Sequence, residues 1–233
     1  MCINQLQAAK TQREVYLGPW LPEPILTEAQ PEIVSPLGET IKQESISIAF
    51  LVLLEALSPA ERAVYLLREV FDYKYSKIAA ILDKEVAACR QLFRRAKSHI
   101  TAGRLRFTAS PEEHERLLRS FIEVVDTGEI EAFLQLLAED VTFVPDGGGQ
   151  RGAAIQVLKG RDAVAQFIFG VQRIAPPDLR YRLLTLNVQQ AILAQTASGQ
   201  PCCALFIYSQ GETAQLIHVI AGHKLAGLAG RLS

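Results

Sequence analysis

The sequence predicts two domains, an all-α helix-turn-helix module followed by an α+β domain, and three observations carry that prediction. Residues 73–97 hold two short apolar stripes at helical spacing with a turn between them. Residues 58–107 concentrate eleven Lys and Arg against five Asp and Glu, although the chain of 233 residues has a net charge of −1. Beyond residue 108, helical periodicity gives way to a run of alternating strands.

Composition narrows the class. With 49% apolar residues the chain can bury one or two cores. No apolar run reaches the roughly 20 residues needed to span a bilayer, and the first residues lack the apolar core of a secretion signal. A cytoplasmic protein with no membrane partner is expected. Cys2 and Cys89 stand alone and Cys202 and Cys203 are adjacent, so the four cysteines form no CxxC pair and suggest neither a disulfide framework nor a zinc site. No metal or cofactor is expected.

Residues 1–40 read as a proline-punctuated linker, with Gly18-Pro19-Trp20-Leu21-Pro22-Glu23-Pro24 followed by Pro31 and Pro36. Each proline fixes its own φ and pushes the preceding residue away from helix, so an extended, stiff segment is expected. Trp20, the single tryptophan, is out of place on an exposed linker. Either Trp20 and Leu21 pin the linker to the nearest core, or they make a regulated docking contact.

Residues 41–107 read as the helical module. Ile46 to Leu54 give a strongly apolar first helix, and Ser58-Pro59 with Glu61 form a start signal for the next. That second helix is expected to carry Val64, Leu66, Leu67, Val70 and Phe71 into the core. Ser76 is expected to cap the third, whose stripe is Ile78, Ala79, Ile81 and Leu82. Asp83 stands at the turn, where a left-handed conformation is common. On the last helix Val86, Cys89, Leu92, Phe93 and Ala96 face inward, leaving Ala87, Ala88, Arg90, Gln91, Arg94, Arg95 and Ser98 outside. Small residues permit approach to a groove, and arginine forks onto guanine or binds phosphate. An isolated basic helix is often only a solvated face, but here it coincides with an island of positive charge, the electrostatic footprint of a nucleic-acid binder.

Residues 108–233 read as the second domain. Helices are expected at Pro111–Thr127 and Glu129–Ala138, a strand at Val141–Val144, a helix from Arg161 through Phe169, and strands near 179–188, 190–197, 202–209 and 213–220. Asp146, Asp162, His218 and His223 are its candidate acid-base groups, but their spacing matches no catalytic motif, and no enzymatic activity is expected. His218 sits among Leu216, Ile217, Val219 and Ile220, where a packed histidine is the ordinary case, with a pocket position the alternative. Gly147-Gly148-Gly149 lacks the Lys-Ser/Thr of a phosphate loop and reads as a tight turn with Asp146 hydrogen-bonding across it.

SPAERAVYLLREVFDYKYSKIAAILDKEVAACRQLFRRAKSHI resembles region four of bacterial sigma factors. The Gly18–Pro24 segment and Asp146-Gly147-Gly148-Gly149 resemble, more narrowly, extracytoplasmic-function sigma factors with a fused SnoaL-like carboxy-terminal domain. The resemblance implies a SnoaL-like cone, a curved antiparallel sheet packed on helices, for the second domain. It also implies contact with the −35 promoter element and the RNA polymerase core, with Arg90, Gln91, Arg94 and Arg95 addressing the DNA and Lys84 and Lys97 adding phosphate attraction. Within that family the Asp146–Gly149 motif is associated with regulation through the linker, here Trp20, Leu21, Pro22, Glu23 and Pro24, by intramolecular contact. Where the family has Asn-Pro-Asp-Lys-Leu, this chain has Ala221-Gly222-His223-Lys224-Leu225, so regulation through that element is not expected to carry over. Residues 1–17 supply at most the tail of region two, without which the chain is not expected to open a promoter by itself. The alternative function is a small-molecule-binding or enzymatic SnoaL-like domain attached to a vestigial sigma module.

Overall fold

The computed structural model describes residues 19–27, 47–103, 110–147 and 156–229. They fall into two compact units: the helices of 47–103, and residues 19–27 together with 110–229.

The first unit starts with α1 (Ile48–Ala56), capped by the Ser47 hydroxyl, which accepts from the Phe50 N–H. α2 (Pro59–Tyr65) begins on a reciprocal capping box: Ser58 Oγ accepts from the Glu61 N–H at 3.4 Å, and the Glu61 carboxylate accepts the Ser58 N–H at 3.1 Å. These bonds satisfy two otherwise orphaned donors and hold the Glu61 carboxyl below its usual range, the Ser58 hydroxyl being the main cause. α2 runs into a π-helical turn, Leu66–Val70, closed by a bond from the Phe71 N–H to the Leu66 carbonyl. The wider turn rotates the following side chains, so Val70 and Phe71 lie 37% and 61% exposed instead of entering the core as expected.

α3 (Tyr75–Leu82) and α4 (Val86–Gly103) form the helix-turn-helix. Lys74, not Ser76, occupies the N-cap of α3 and makes no side-chain cap bond; the extended backbone at Lys74 starts the helix before Ser76 is reached. Asp83 adopts the left-handed conformation with φ 50°, ending α3 as anticipated. Ile78, Ala79 and Cys89 pack beneath the turn with Val64, whereas Ile81 is half exposed and does not belong to the stripe. Tyr65 stacks on Phe93 at 5.9 Å, tying α2 to α4.

The second unit is a mixed six-stranded sheet packed on helices. α5 (Pro111–Thr127) opens on a second capping box, Ser110 with Glu113, and ends at Gly128 with φ 79°. α6 (Ile130–Gln135) stops three residues short of the expected Ala138, because β1 (Leu137–Asp146) starts there. The short β2 (Leu158–Lys159), α7 (Arg161–Ile174), β3 (Arg180–Leu186), β4 (Gln189–Gln195), β5 (Pro201–Gln210) and β6 (Thr213–Ala221) follow. A 3-10 turn, Gly222–Leu225, and α8 (Ala226–Ala229) close the described chain.

Strand order is β2-β1-β6-β5-β4-β3. The sheet is mixed rather than wholly antiparallel. α7 carries the chain to the far edge, and a four-strand meander brings β6 back beside β1 running the same way. Phe121, Phe133, Phe169, Phe143, Ile192, Ile207 and Ile217 form the core between the helices and one sheet face. The side-chain period of two sends Leu193, Phe206, His218 and Ile220 to the opposite face.

Candidate nucleic-acid interface and linker clamp

α4 presents its polar stripe to solvent. Lys84, Arg90, Gln91, Arg94, Arg95 and Lys97 are all exposed, while Cys89, Ala96 and Ile100 anchor the opposite side. The i, i+4 pairs Arg90 with Arg94 and Gln91 with Arg95 stack along one face. Three local contacts orient this surface. The Arg90 guanidinium lies 5.8 Å from the centre of the Tyr75 ring, Lys97 pairs with Glu69 at 3.7 Å, and Lys97 also lies 5.6 Å from the Phe93 ring. An exposed pair of this kind is worth about 0–1 kcal/mol, so it holds Lys97 only weakly.

Not every cation of the basic island is outward. Arg62 bonds the Glu55 carboxylate and the Glu55 and Leu57 carbonyls, closing the end of α1 against α2. Arg68 donates to the Tyr73 carbonyl at 3.0 Å and lies 5.3 Å from the Tyr75 ring. Both are structural, a distinction that a charge count along the chain does not make.

The second site joins segments far apart in sequence. The Asp146 carboxylate, at the end of β1 and fully buried, accepts the Leu21 N–H at 2.6 Å and the Lys224 ammonium at 2.6 Å. Lys224 also donates to the Leu21 carbonyl at 2.8 Å and sits 5.0 Å from the centre of the Trp20 ring. One carboxylate and one ammonium therefore hold both backbone polar groups of Leu21, whose side chain is 1% exposed. Pro24 is buried and Pro22 half-buried, while Glu23 points to solvent. Farther along, the Ile25 N–H donates to the Asn187 side chain at 2.9 Å, the Asn187 N–H returns to the Ile25 carbonyl, and Leu26 bridges Leu186. The Val188 N–H donates to Thr27 Oγ1 at 2.7 Å.

The strap from Leu21 to Leu26 touches β1 and β3, four strand spacings apart in the sheet order. Five residues reach about 17 Å at full stretch, and a flat sheet would separate those strands by about 19 Å. A strap of this length can touch both strands only because the sheet is curved.

Gly147 is buried beside Asp146, and Gly148 and Gly149, the rest of the expected glycine turn, lie outside the described residues. Of the Ala221–Leu225 element, Lys224 bonds the linker at the Leu21 carbonyl and Leu225 is fully buried. Gly222 sets up this turn, since a Cβ there would collide with the Pro201 carbonyl oxygen.

Between the sheet and α5 and α7 lies a cavity of about 430 Å³ with a mostly apolar wall. His218 does not line it, contrary to the pocket position considered for it. Val219 and Ala221 face the cavity, and by strand alternation His218 points to the other face, against Tyr208 at 5.2 Å. Burial pushes the His218 imidazole down to about 4, so it is neutral. Asp162 and His223 are exposed, and Asp146 is taken up by Lys224, so the four candidate acid-base groups do not converge. Among the described residues no cluster of metal-ligating side chains occurs, and no helix is long and apolar enough to cross a membrane.

A basic helix-turn-helix joined to a curved mixed sheet on helices defines the class: a sigma-70 region 4 module followed by a SnoaL-like domain. The family described as Sigma-70, region 4 matches residues 47–100, and the SnoaL-like domain family matches residues 118–225. The chain is a homologue of the extracytoplasmic-function (ECF) RNA polymerase sigma factors. It is 32% identical over 176 residues to ECF RNA polymerase sigma factor SigJ of Mycobacterium tuberculosis, a match covering 75% of this chain and 56% of that protein. It is 28% identical over 211 residues to the probable ECF RNA polymerase sigma factor SigI of the same species, covering 89% of this chain and 64% of the relative. The chain thus spans between about half and two thirds of the length of these relatives. The crystal structure of the M. tuberculosis SigJ, which has the same fusion of domains, superposes with a TM-score of 0.70 at 25% identity, covering 97% of this chain and 78% of that one.

Proposed function

We propose that this chain acts in transcription initiation or its regulation in the cytoplasm, its region 4 module contacting the −35 promoter element and the RNA polymerase core. The observation that carries this reading is the exposed stripe Arg90, Gln91, Arg94 and Arg95 on a helix whose opposite side is locked into the module. Arginine and glutamine there have the donor geometry to read guanine and adenine edges, and Lys84 and Lys97 supply phosphate attraction. The SnoaL-like domain regulates this activity by holding the linker through Asp146 and Lys224. The domain works without catalysis: its candidate acid and base groups are spent in an ion pair, exposed, or on the far face of the sheet.

The test is a mobility-shift titration of the full chain on −35-element duplexes. Arg94→Ala with Arg95→Ala should weaken binding by about 1–3 kcal/mol for each bidentate arginine–base interaction removed, and should flatten the dependence on salt by about two counterions. Unchanged affinity and salt slope would remove α4 from the interface. The second reading, a ligand-binding domain on a vestigial helical module, draws on the cavity of the second unit. It predicts no measurable affinity of the unmodified chain for any such duplex.

A further inference from the structure

We propose that Tyr75 is a positioning residue for DNA recognition: its ring holds the Arg90 guanidinium on the outer face of α4 before DNA arrives, and so fixes which base pair Arg90 reads. The inference rests on the reading that α4 contacts the −35 element. Arg90 is the first arginine of the exposed stripe, about one turn into α4 from Val86. In a helix-turn-helix the early residues of the second helix reach base edges, so Arg90 is the arginine best placed to read sequence and not only to attract phosphate. Its guanidinium carbon lies 5.8 Å from the centre of the Tyr75 ring, within the reach of a cation–π contact. Among the described residues, Arg90 is the one arginine of the stripe with a ring at such a distance.

The ring that holds Arg90 is itself fixed. Tyr75 is the first residue of α3, and its ring meets that of Phe93 on α4 edge to face, at 6.0 Å and 75°. Phe93 stacks on Tyr65 of α2, and Tyr65 packs on Phe50 of α1, so a chain of aromatic contacts ties the Tyr75 ring to every helix of the module. A second guanidinium, that of Arg68, lies 5.3 Å from the same ring and is pinned by its bond to the Tyr73 carbonyl. Arg68 belongs to the π-helical turn, a rare geometry that recurs at functional sites and here supplies a fixed cation beside the ring. Tyr75 is half-buried and Arg90 exposed, so the ring is the inner support and the guanidinium the outer, working group. An unsupported surface arginine samples many rotamers and loses that freedom when it forks onto a guanine edge. A guanidinium held against a ring has given up part of it beforehand, and the contact spends none of its N–H donors.

The experiment is a mobility-shift titration of the full chain on a set of −35-element duplexes in which each base pair is changed in turn, with Arg90→Ala first locating the base pair that Arg90 reads. Tyr75→Leu should erase discrimination at that same base pair and weaken the preferred duplex by about threefold to tenfold, the range expected for ordering one long side chain on binding. Its salt dependence should equal that of the parent chain, because no cation is removed. Tyr75→Phe, which keeps the ring face, should behave as the parent, and Tyr75→Leu should cost nothing further in the Arg90→Ala background. In the chain without DNA, NMR relaxation should show the Arg90 Nε–H group more mobile in Tyr75→Leu than in the parent. Should Tyr75→Leu fail to fold, pentafluorophenylalanine in place of Tyr75 keeps the shape of phenylalanine without its negative ring face, and should show the same loss relative to Tyr75→Phe. Discrimination retained in Tyr75→Leu, or an equal cost of that change with and without Arg90, would overturn the proposal. So would a weakened Tyr75→Phe, which would make the hydroxyl a DNA contact in its own right. If Arg90→Ala alters no base preference while Arg94→Ala with Arg95→Ala weakens binding, the positioning role fails and promoter contact by α4 stands. If neither weakens binding, α4 leaves the interface and both readings fall.

Discussion

Asp146 is the residue on which the second unit's polar interior turns. Its side chain is fully buried and that of Lys224 is 9% exposed, so each charge depends on the other. Removing one partner of such a pair strands the other, at a cost of about 3–5 kcal/mol. Asp146→Ala is therefore expected to lower the denaturation midpoint sharply and to free the strap, with emission from Trp20, the single tryptophan, shifting to the red. Asp146→Ala combined with Lys224→Ala should cost less than the two separately, because the double variant buries no orphan charge. His218 carries a pH dependence. Its folded pKa, about 4, lies below the ordinary 6.5, so between those values the unfolded chain binds a proton that the native state refuses. The resulting stability is fully present above about pH 6.5 and is lost as pH falls toward 4, by at most on the order of 3 kcal/mol. His218→Phe should lose less stability than the parent chain between pH 7 and pH 4.5 in urea titrations. A parallel loss in both would show that the imidazole does not titrate differently in the two states.

At the scale of elements, the turn between β3 and β4 is the clearest case of local sequence working against structure. Asn187 and Val188 both have positive φ, 51° and 55°. Two-residue hairpins of this kind favour Asn-Gly, and a β-branched residue there is strained. The strap supports the turn by bonding the Asn187 backbone and side chain and the Val188 N–H. Val188→Gly should raise stability by roughly 1 kcal/mol, read as a higher urea midpoint, since relief of strain outweighs glycine's entropy cost. No gain would mean that Val188 is at ease in that conformation. Elements built on local signals were legible in the sequence: Ser58-Pro59-Glu61 and Ser110-Pro111-Glu113 begin helices where their capping boxes require. Elements whose ends depend on neighbours were not. Helical periodicity ran on to Ala138 because nothing local marks Leu137, which joins a strand by pairing with Ala214. The π-helical turn that exposes Phe71 has no sequence signature either, because an i→i+5 bond replaces its usual counterpart without changing the apolar pattern.

For the molecule as a whole, the exposed basic face of α4 was the more legible of the two candidate sites. Arg90, Gln91, Arg94 and Arg95 lie within two turns of one helix, so helical spacing alone puts them on a common face opposite Cys89 and Ala96. The linker clamp was legible only in its parts. The odd position of Trp20 pointed to a docked linker, but its partners, Asp146 and Lys224, lie more than a hundred residues downstream and are brought together by the parallel pairing of β1 with β6. The cavity left still less of a trace, because its wall is assembled one residue at a time from α5, α7 and strands in which each contributing position looks like ordinary core. By itself the sequence determined the two-domain division, the capped helices and the basic face, because these rest on short-range periodicity, capping and charge. Only the tertiary structure decided that the strap is held by Asp146 and Lys224, that His218 turns away from the cavity, and that Arg62 folds inward. Each of those depends on strand register and packing, which bring together groups that no local pattern connects.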